Sequence, residues 1–297
     1  MSKPIYKLLL ISLFFVNLLH ALPQQNIRFE IKTDFPKQNI WIKPLLQKSS
    51  KALNQFFLNK NVNLPRKITV RIKKNSQLKG IGGNARKFDN SINFSSNLWQ
   101  DDKYRRWIMV HELVNLLVSY YGTSAYPSDW WSNGRSPFPL YATAITLQKL
   151  GYKKDFLWLK NTDKNKPDQQ FYWTLHKQYG PKLFKDFFYL IKEDSIDLSR
   201  IGKKWPHPDK IRSLYTLSYL SMAANKNLSN VASYYKIGKK PSDWHKRHPE
   251  IKFEEYLILE SEIKELIHIR NQLFNQEKGS YFDKREYRLG KYYKVKL

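Results

Sequence analysis

The sequence predicts an α+β protein: a small N-terminal mixed or antiparallel sheet followed by a predominantly helical domain. Three observations carry this. Alternating, β-branched segments are confined to the chain before Asp102. Helical spacing of apolar residues sets in at Asp102 and then recurs along the rest of the chain. Strands first and helices after is the order of segregated layers.

The elements follow in order. Ile27 to Thr33 alternates apolar and polar residues and predicts a half-buried strand. Pro44 to Leu58 carries Leu45, Leu46, Leu53, Phe56 and Phe57 at near-helical spacing and predicts a helix. Ile68 to Ile72 is a β-branched second strand. Gly80 to Gly83 predicts a turn, and Ala85 to Phe94 a third, weakly alternating strand suited to a sheet edge. From Asp102, two apolar stripes predict a helix: Trp107, Val110, Val114, Leu117 and Tyr121 form one, Leu113, Leu116 and Tyr120 the other. Asp101 or Asp102 is its expected cap and Gly122 its stop. A loop rich in Trp, Pro, Ser and Gly, Tyr126 to Pro139, comes next. Further helices are expected over Leu140–Leu150, ended by Gly151, over Phe171–Ile191 as two helices meeting at Gly180-Pro181, over Asp209–Ala224 and over Phe253–Phe274.

The start of the chain has its own pattern. Lys3 and Lys7 form a basic region, Leu8 to Leu19 is apolar except for Ser12 and Asn17, and the small Ala21 follows. This predicts a secretory signal over residues 1–21 and a secreted or periplasmic protein. The run is shorter than the roughly 20 apolar residues of a membrane span. Leu19 in place of a small residue keeps open the reading of an uncleaved anchor. Residues 22–239 then form the α+β domain. A soft boundary near Lys239-Lys240-Pro241 sets off residues 240–297, a helical segment with a basic, tyrosine-rich tail.

The chain carries a formal charge of +27 and no cysteine. Disulfides, thiolate ligands and a catalytic cysteine are therefore excluded, and a cysteine-free exported protein fits bacterial usage. The charge favours polyanionic partners, an envelope polymer or a membrane surface. The basic residues are scattered as pairs such as Lys73-Lys74 and Lys203-Lys204, and nothing matches a nucleic-acid module, so nucleic acid is not the expected partner. There is no Gly-x-Ser-x-Gly elbow, and Gly80-Ile81-Gly82-Gly83 lacks the lysine and hydroxyl of a phosphate loop.

The informative segment lies in the Asp102 helix. His111 and Asn115 are four apart and share a face, with Glu112 beside them. This is the layout of His-Glu-x-x-His with Asn in the second ligand position. The chain thus resembles the zincin metallopeptidases, in particular the gluzincin-like branch, over about Gly80 to Ala224. The resemblance implies a small sheet before the active helix, an edge strand lining the cleft, a zinc ion, and a peptide or protein substrate. It implies Glu112 as general base, with His111 and Asn115 as metal ligands. Asp129, in the aromatic loop, is the candidate acidic ligand. Arg135 is a candidate grip for a substrate carboxylate, and Tyr215 and Tyr219 are candidates to line the cleft. A carboxamide oxygen is a weaker zinc donor than imidazole, and a catalytic zinc takes three protein ligands. Two further readings therefore stand beside the hydrolase: an inactive binding protein on a zincin-like scaffold, acting on an anionic envelope or host partner, and a basic factor that binds envelope by charge alone.

Overall fold

The computed structural model describes residues 27–33, 39–57, 64–73, 82–96, 101–121, 137–162, 167–194, 208–235 and 259–276. Its strands are β1 (Arg28–Lys32), β2 (Lys67–Lys73), β3 (Gly83–Arg86) and β4 (Ser91–Ser95). Its helices are α1 (Asn39–Leu53), α2 (Asp102–Tyr120), α3 (Pro137–Lys149), α4 (Lys153–Thr162), α5 (Pro167–Tyr179), α6 (Lys182–Glu193), α7 (Pro208–Ala224), α8 (Ser229–Tyr234) and α9 (Glu260–Gln276). The α+β class is as the sequence predicts.

The sheet order is β1-β2-β4-β3. β1, β2 and β4 run parallel, with Phe29 opposite Ile68 and Val70 opposite Ile92. Helix α1 makes the crossover between β1 and β2 that a parallel pair requires. β3 is the antiparallel edge, with Ala85 opposite Ile92 and Gly83 opposite Phe94. β4 is buried along its whole length, since β2, β3 and helix α2 surround it. The single edge strand expected over Ala85–Phe94 is in fact a hairpin. Lys87 to Asn90 form its turn, and Asn90 takes a left-handed φ of 49°. Asp89 and Asn90 are turn residues with local hydrogen-bonding side chains, and they override the weak strand pattern.

Helix α1 begins a turn before the expected Pro44. That proline lacks the N–H that would bond the Ile40 carbonyl, and Ile40 is 78% exposed, so water can serve the carbonyl instead. Helix α2 is capped by Asp101, whose side chain accepts from Lys103 N at 2.8 Å and Tyr104 N at 3.4 Å. Gly151 ends α3 with φ 88°, and Gly180 parts α5 from α6 with φ 70°, conformations glycine takes without strain. Helix α4 was not expected. Its Lys153-Lys154 start and exposed Leu157 hide the apolar stripe. The boundary near 239 and the tail from 278 lie outside the described residues. Beyond that boundary, α9 packs Ile263 and Leu266 into the same core as the rest. Among the described residues no helix is long and apolar enough to cross a membrane.

The core is strongly aromatic where the helices meet. Phe56 and Phe57, just after α1, pack on Tyr121, Phe138, Tyr141, Phe184 and Phe188, largely edge to face or tilted, as ring quadrupoles prefer. Two enclosed ion pairs tie helices that are distant in sequence. Arg106 of α2 donates to both oxygens of Asp155 of α4, at 2.6 and 3.1 Å. Arg270 of α9 does the same to Asp194 at the end of α6, at 2.8 and 3.1 Å, and Tyr219 of α7 donates to that carboxylate at 2.6 Å.

Removing one member of such a group strands the others. Asp194→Ala is predicted to lower unfolding free energy by about 3–5 kcal/mol. The double change Asp194→Leu with Arg270→Met is predicted to lose less, because no charge is left buried. Urea unfolding of both variants checks this; a larger loss in the double variant contradicts it.

Candidate functional site

Helix α2 brings the site together because its second half is enclosed. Ile108 to Val118 are buried except for His111, which is half-buried. The helix packs on β3, β4, α1 and α3. A residue on any face of this stretch is therefore inside the protein, charged or not.

Glu112 is 6% exposed. Asn115 Nδ2 donates to its Oε2 at 3.1 Å, and the backbone N–H of Ala85 donates to its carboxylate from the edge strand. Among the described residues no cation stands beside it. Burial pushes its pKa up from 4.5 to about 7, and the two hydrogen bonds only partly oppose this. A glutamate at the margin of an apolar helix face is ordinarily solvated or paired; this one is neither.

His111 is held neutral. Burial lowers its pKa from 6.5 to about 4. Its Nδ1 is enclosed and has no hydrogen-bond partner among the described residues, and the same is true of Asn115 Oδ1, one turn further along the same face. Buried polar atoms without partners are rare in folded proteins. Here two of them adjoin a buried carboxyl. Trp107, one turn before His111, packs its ring with its centroid 5.6 Å from that of the imidazole.

Gly83 explains how the edge strand reaches Glu112. A Cβ at this position would lie 3.0 Å from Glu112 Cγ, 3.1 Å from the Asn93 carbonyl oxygen and 3.2 Å from Phe94 Cδ1. Strand and helix approach this closely because residue 83 has no side chain. Gly83 and Ala85 were not among the residues the sequence singled out for the site. The signal for Gly83 was present in the Gly82-Gly83 pair, which read as a turn. Ala85 acts through its backbone and left no signal.

The other expected site residues fall elsewhere. Tyr215 and Tyr219 do not line a cleft. Both are fully buried on α7, and the Tyr219 hydroxyl is held by Asp194. Their one-turn spacing marks the inward face of a core helix packed on α6 and α9. Asp129 and Arg135 lie outside the described residues.

The fit to a metal is partial. A neutral imidazole and an unpartnered carboxamide oxygen on one face are suitable donors, since ligands must be deprotonated. Among the described residues, no three His, Cys, Asp or Glu side chains gather to hold a cation. The described residues thus offer two donors where a catalytic zinc takes three. No family model, curated protein or solved structure matches the chain.

Two predictions come from this geometry. Gly83→Ala is expected to destabilise the fold by about 1–3 kcal/mol, as overpacking does, and to displace the Glu112 side chain. Thermal unfolding and a crystal structure of the variant check this; an unchanged Tm contradicts it. The second concerns pH in metal-free protein. Glu112 titrates at 4.5 unfolded and about 7 folded, so the native state holds the extra proton and stability falls as pH rises across that window. His111 titrates at 6.5 unfolded and about 4 folded, so its contribution rises with pH between those values. The two slopes oppose each other where the windows overlap. Relative to wild type, Glu112→Gln should therefore gain stability from about pH 4.5 to 7, by up to about 3 kcal/mol. His111→Gln should gain as pH falls below 6.5. Denaturant unfolding across pH reads both, and a pH-independent difference contradicts the account.

Proposed function

We propose that this chain is an exported zincin-like metallohydrolase, a peptidase by class, with Glu112 as general base and His111 and Asn115 as two of its metal ligands. One observation carries the reading: the enclosed polar atoms His111 Nδ1 and Asn115 Oδ1, without partners among the described residues, lie on one face of α2, beside a buried Glu112 that is held against the edge strand. The topology supports it too. A small sheet with an edge strand beside the helix precedes it, as the zincin resemblance implies.

A bound zinc would supply Lewis acidity, lowering the pKa of water at the site and polarising a carbonyl. The chain's own residues supply the proton handling. A carboxylate at Glu112, fixed at the edge strand, is suited to take a proton from an attacking water and return it to a leaving amine. Ala85 N–H and Asn115 Nδ2 fix that carboxyl in place. His111, kept neutral, presents a lone pair. The third ligand in this reading is Asp129, and Arg135 is the grip for a substrate carboxylate. Export rests on the signal-like residues 1–21.

A second reading is favoured by one detail. Asn115 is already engaged with Glu112 through its amide, an arrangement that holds the site together without metal. An inactive binding protein on the same scaffold would look like this.

The experiment is metal content by plasma mass spectrometry, paired with peptide hydrolysis. Zinc near one equivalent in wild type and lost in His111→Ala is expected. So is chelator-sensitive hydrolysis that falls by at least about 100-fold in Glu112→Gln. Asn115→His, which restores the second imidazole, is expected to tighten zinc binding. A wild-type protein that takes up no zinc even when it is supplied contradicts the hydrolase and favours the binding protein.

A further inference from the structure

The turn of the β3–β4 hairpin carries a feature that the helix α2 site does not use. Phe88 stands at its tip, 76% exposed. The side chain is held out by its neighbours. The Arg86 guanidinium lies 4.1 Å from its ring centroid. Lys87 Nζ donates to the Ser119 carbonyl at 2.9 Å, at the C-terminal end of α2, and sits 5.4 Å from the Tyr120 ring. The Tyr120 hydroxyl in turn meets the Asn90 side chain. The turn is thus tied to the helix on both sides of Phe88.

Beside the tip lies an open hollow of about 770 Å³, with Pro65, Ala85, Phe88 and Tyr120 as apolar walls and Arg86 and Lys87 as cations. The acid of the turn, Asp89, is already paired with Arg71 at 3.1 Å and lies 3.9 Å from Arg86. The tip is therefore apolar at its apex and net positive around it, in a chain of charge +27.

The geometry points to this hairpin tip as a docking site for an anionic phospholipid surface, with the Phe88 ring entering the headgroup–acyl boundary and Arg86 and Lys87 at the level of the phosphates. A single exposed phenylalanine is ordinary on a protein surface. One on a turn tied to α2 on either side, with two cations around it, matches the two signals, apolar and electrostatic, that interfacial binding combines. A folded protein partner fits less well, since a stable interface takes about 800 Å² from each side and a four-residue turn is a small part of that. Ala85 walls the hollow and also bonds Glu112, so docking would hold the edge strand of the α2 site against the membrane. The inference stands whether or not that site is catalytic.

The chain has no cysteine, so Phe88→Cys gives one labelling site for an environment-sensitive fluorophore. The same label on Tyr234→Cys, a residue 78% exposed on α8, is the control. With vesicles of mixed phosphatidylcholine and phosphatidylglycerol, the label at position 88 is expected to shift to the blue and the label at 234 is not. Phosphatidylcholine alone should leave both unchanged. Adding Arg86→Gln or Lys87→Gln should weaken the titration about fivefold each. No shift at 88, equal shifts at both positions, or a titration indifferent to both cations overturns the proposal.

Discussion

The close approach of strand β3 to helix α2 at Gly83 is the constraint on which the site depends. A Cβ there would crowd Glu112 Cγ, the Asn93 carbonyl and the Phe94 ring, at 3.0 to 3.2 Å. Because the backbone itself forms this wall, Glu112 meets the Ala85 N–H instead of water. Its carboxyl is desolvated, and Asn115 turns its amide toward it. Asn115 Oδ1 and His111 Nδ1, on the same face, have no hydrogen-bond partner among the described residues. A side chain at position 83 would press on Glu112 Cγ and the Asn93 carbonyl and push strand and helix apart.

The arrangement works against stability, which is typical of a site kept for function. A half-buried histidine with an enclosed ring nitrogen and a buried carboxyl near its titration point both disfavour folding relative to apolar residues of the same shape. Elsewhere the protein is held by interactions that offset this. The aromatic cluster around Phe56, Phe138 and Phe184 supplies apolar burial where α1, α3, α5 and α6 converge. Arg106–Asp155 and Arg270–Asp194 add geometric definition more than energy, since desolvation of such pairs consumes most of their attraction. The first fixes the start of α2, and with it the direction from which His111 and Glu112 enter the site.

Much of the fold was legible in the sequence, because apolar periodicity is a direct image of burial. The strands at Arg28–Lys32 and Lys67–Lys73, helix α2 with its Asp101 cap, and the break at Gly180 all carried their physical cause in the local residues. The hairpin did not: its turn is made by Asp89 and Asn90 inside a stretch that looks like one strand. Helix α4 was hidden by its charged start. Within the site, the shared face of His111, Glu112 and Asn115 was readable from helical spacing. The burial of Glu112 was not, because the wall that buries it comes from a strand some thirty residues earlier and acts through backbone atoms. Tyr215 and Tyr219 misled for a related reason. One-turn spacing of tyrosines is the same for a cleft and for a core, and the buried Asp194 that claims Tyr219 lies far away in sequence.

The most direct measurement is the ionisation of Glu112 itself, followed by carbon NMR of protein labelled at glutamate carboxyls, with Glu112→Gln giving the assignment. The account predicts a midpoint of about 7 in the metal-free protein. A midpoint near the ordinary 4.5 would mean that the carboxyl is solvated, that strand β3 does not seal it, and that the site described here is not assembled.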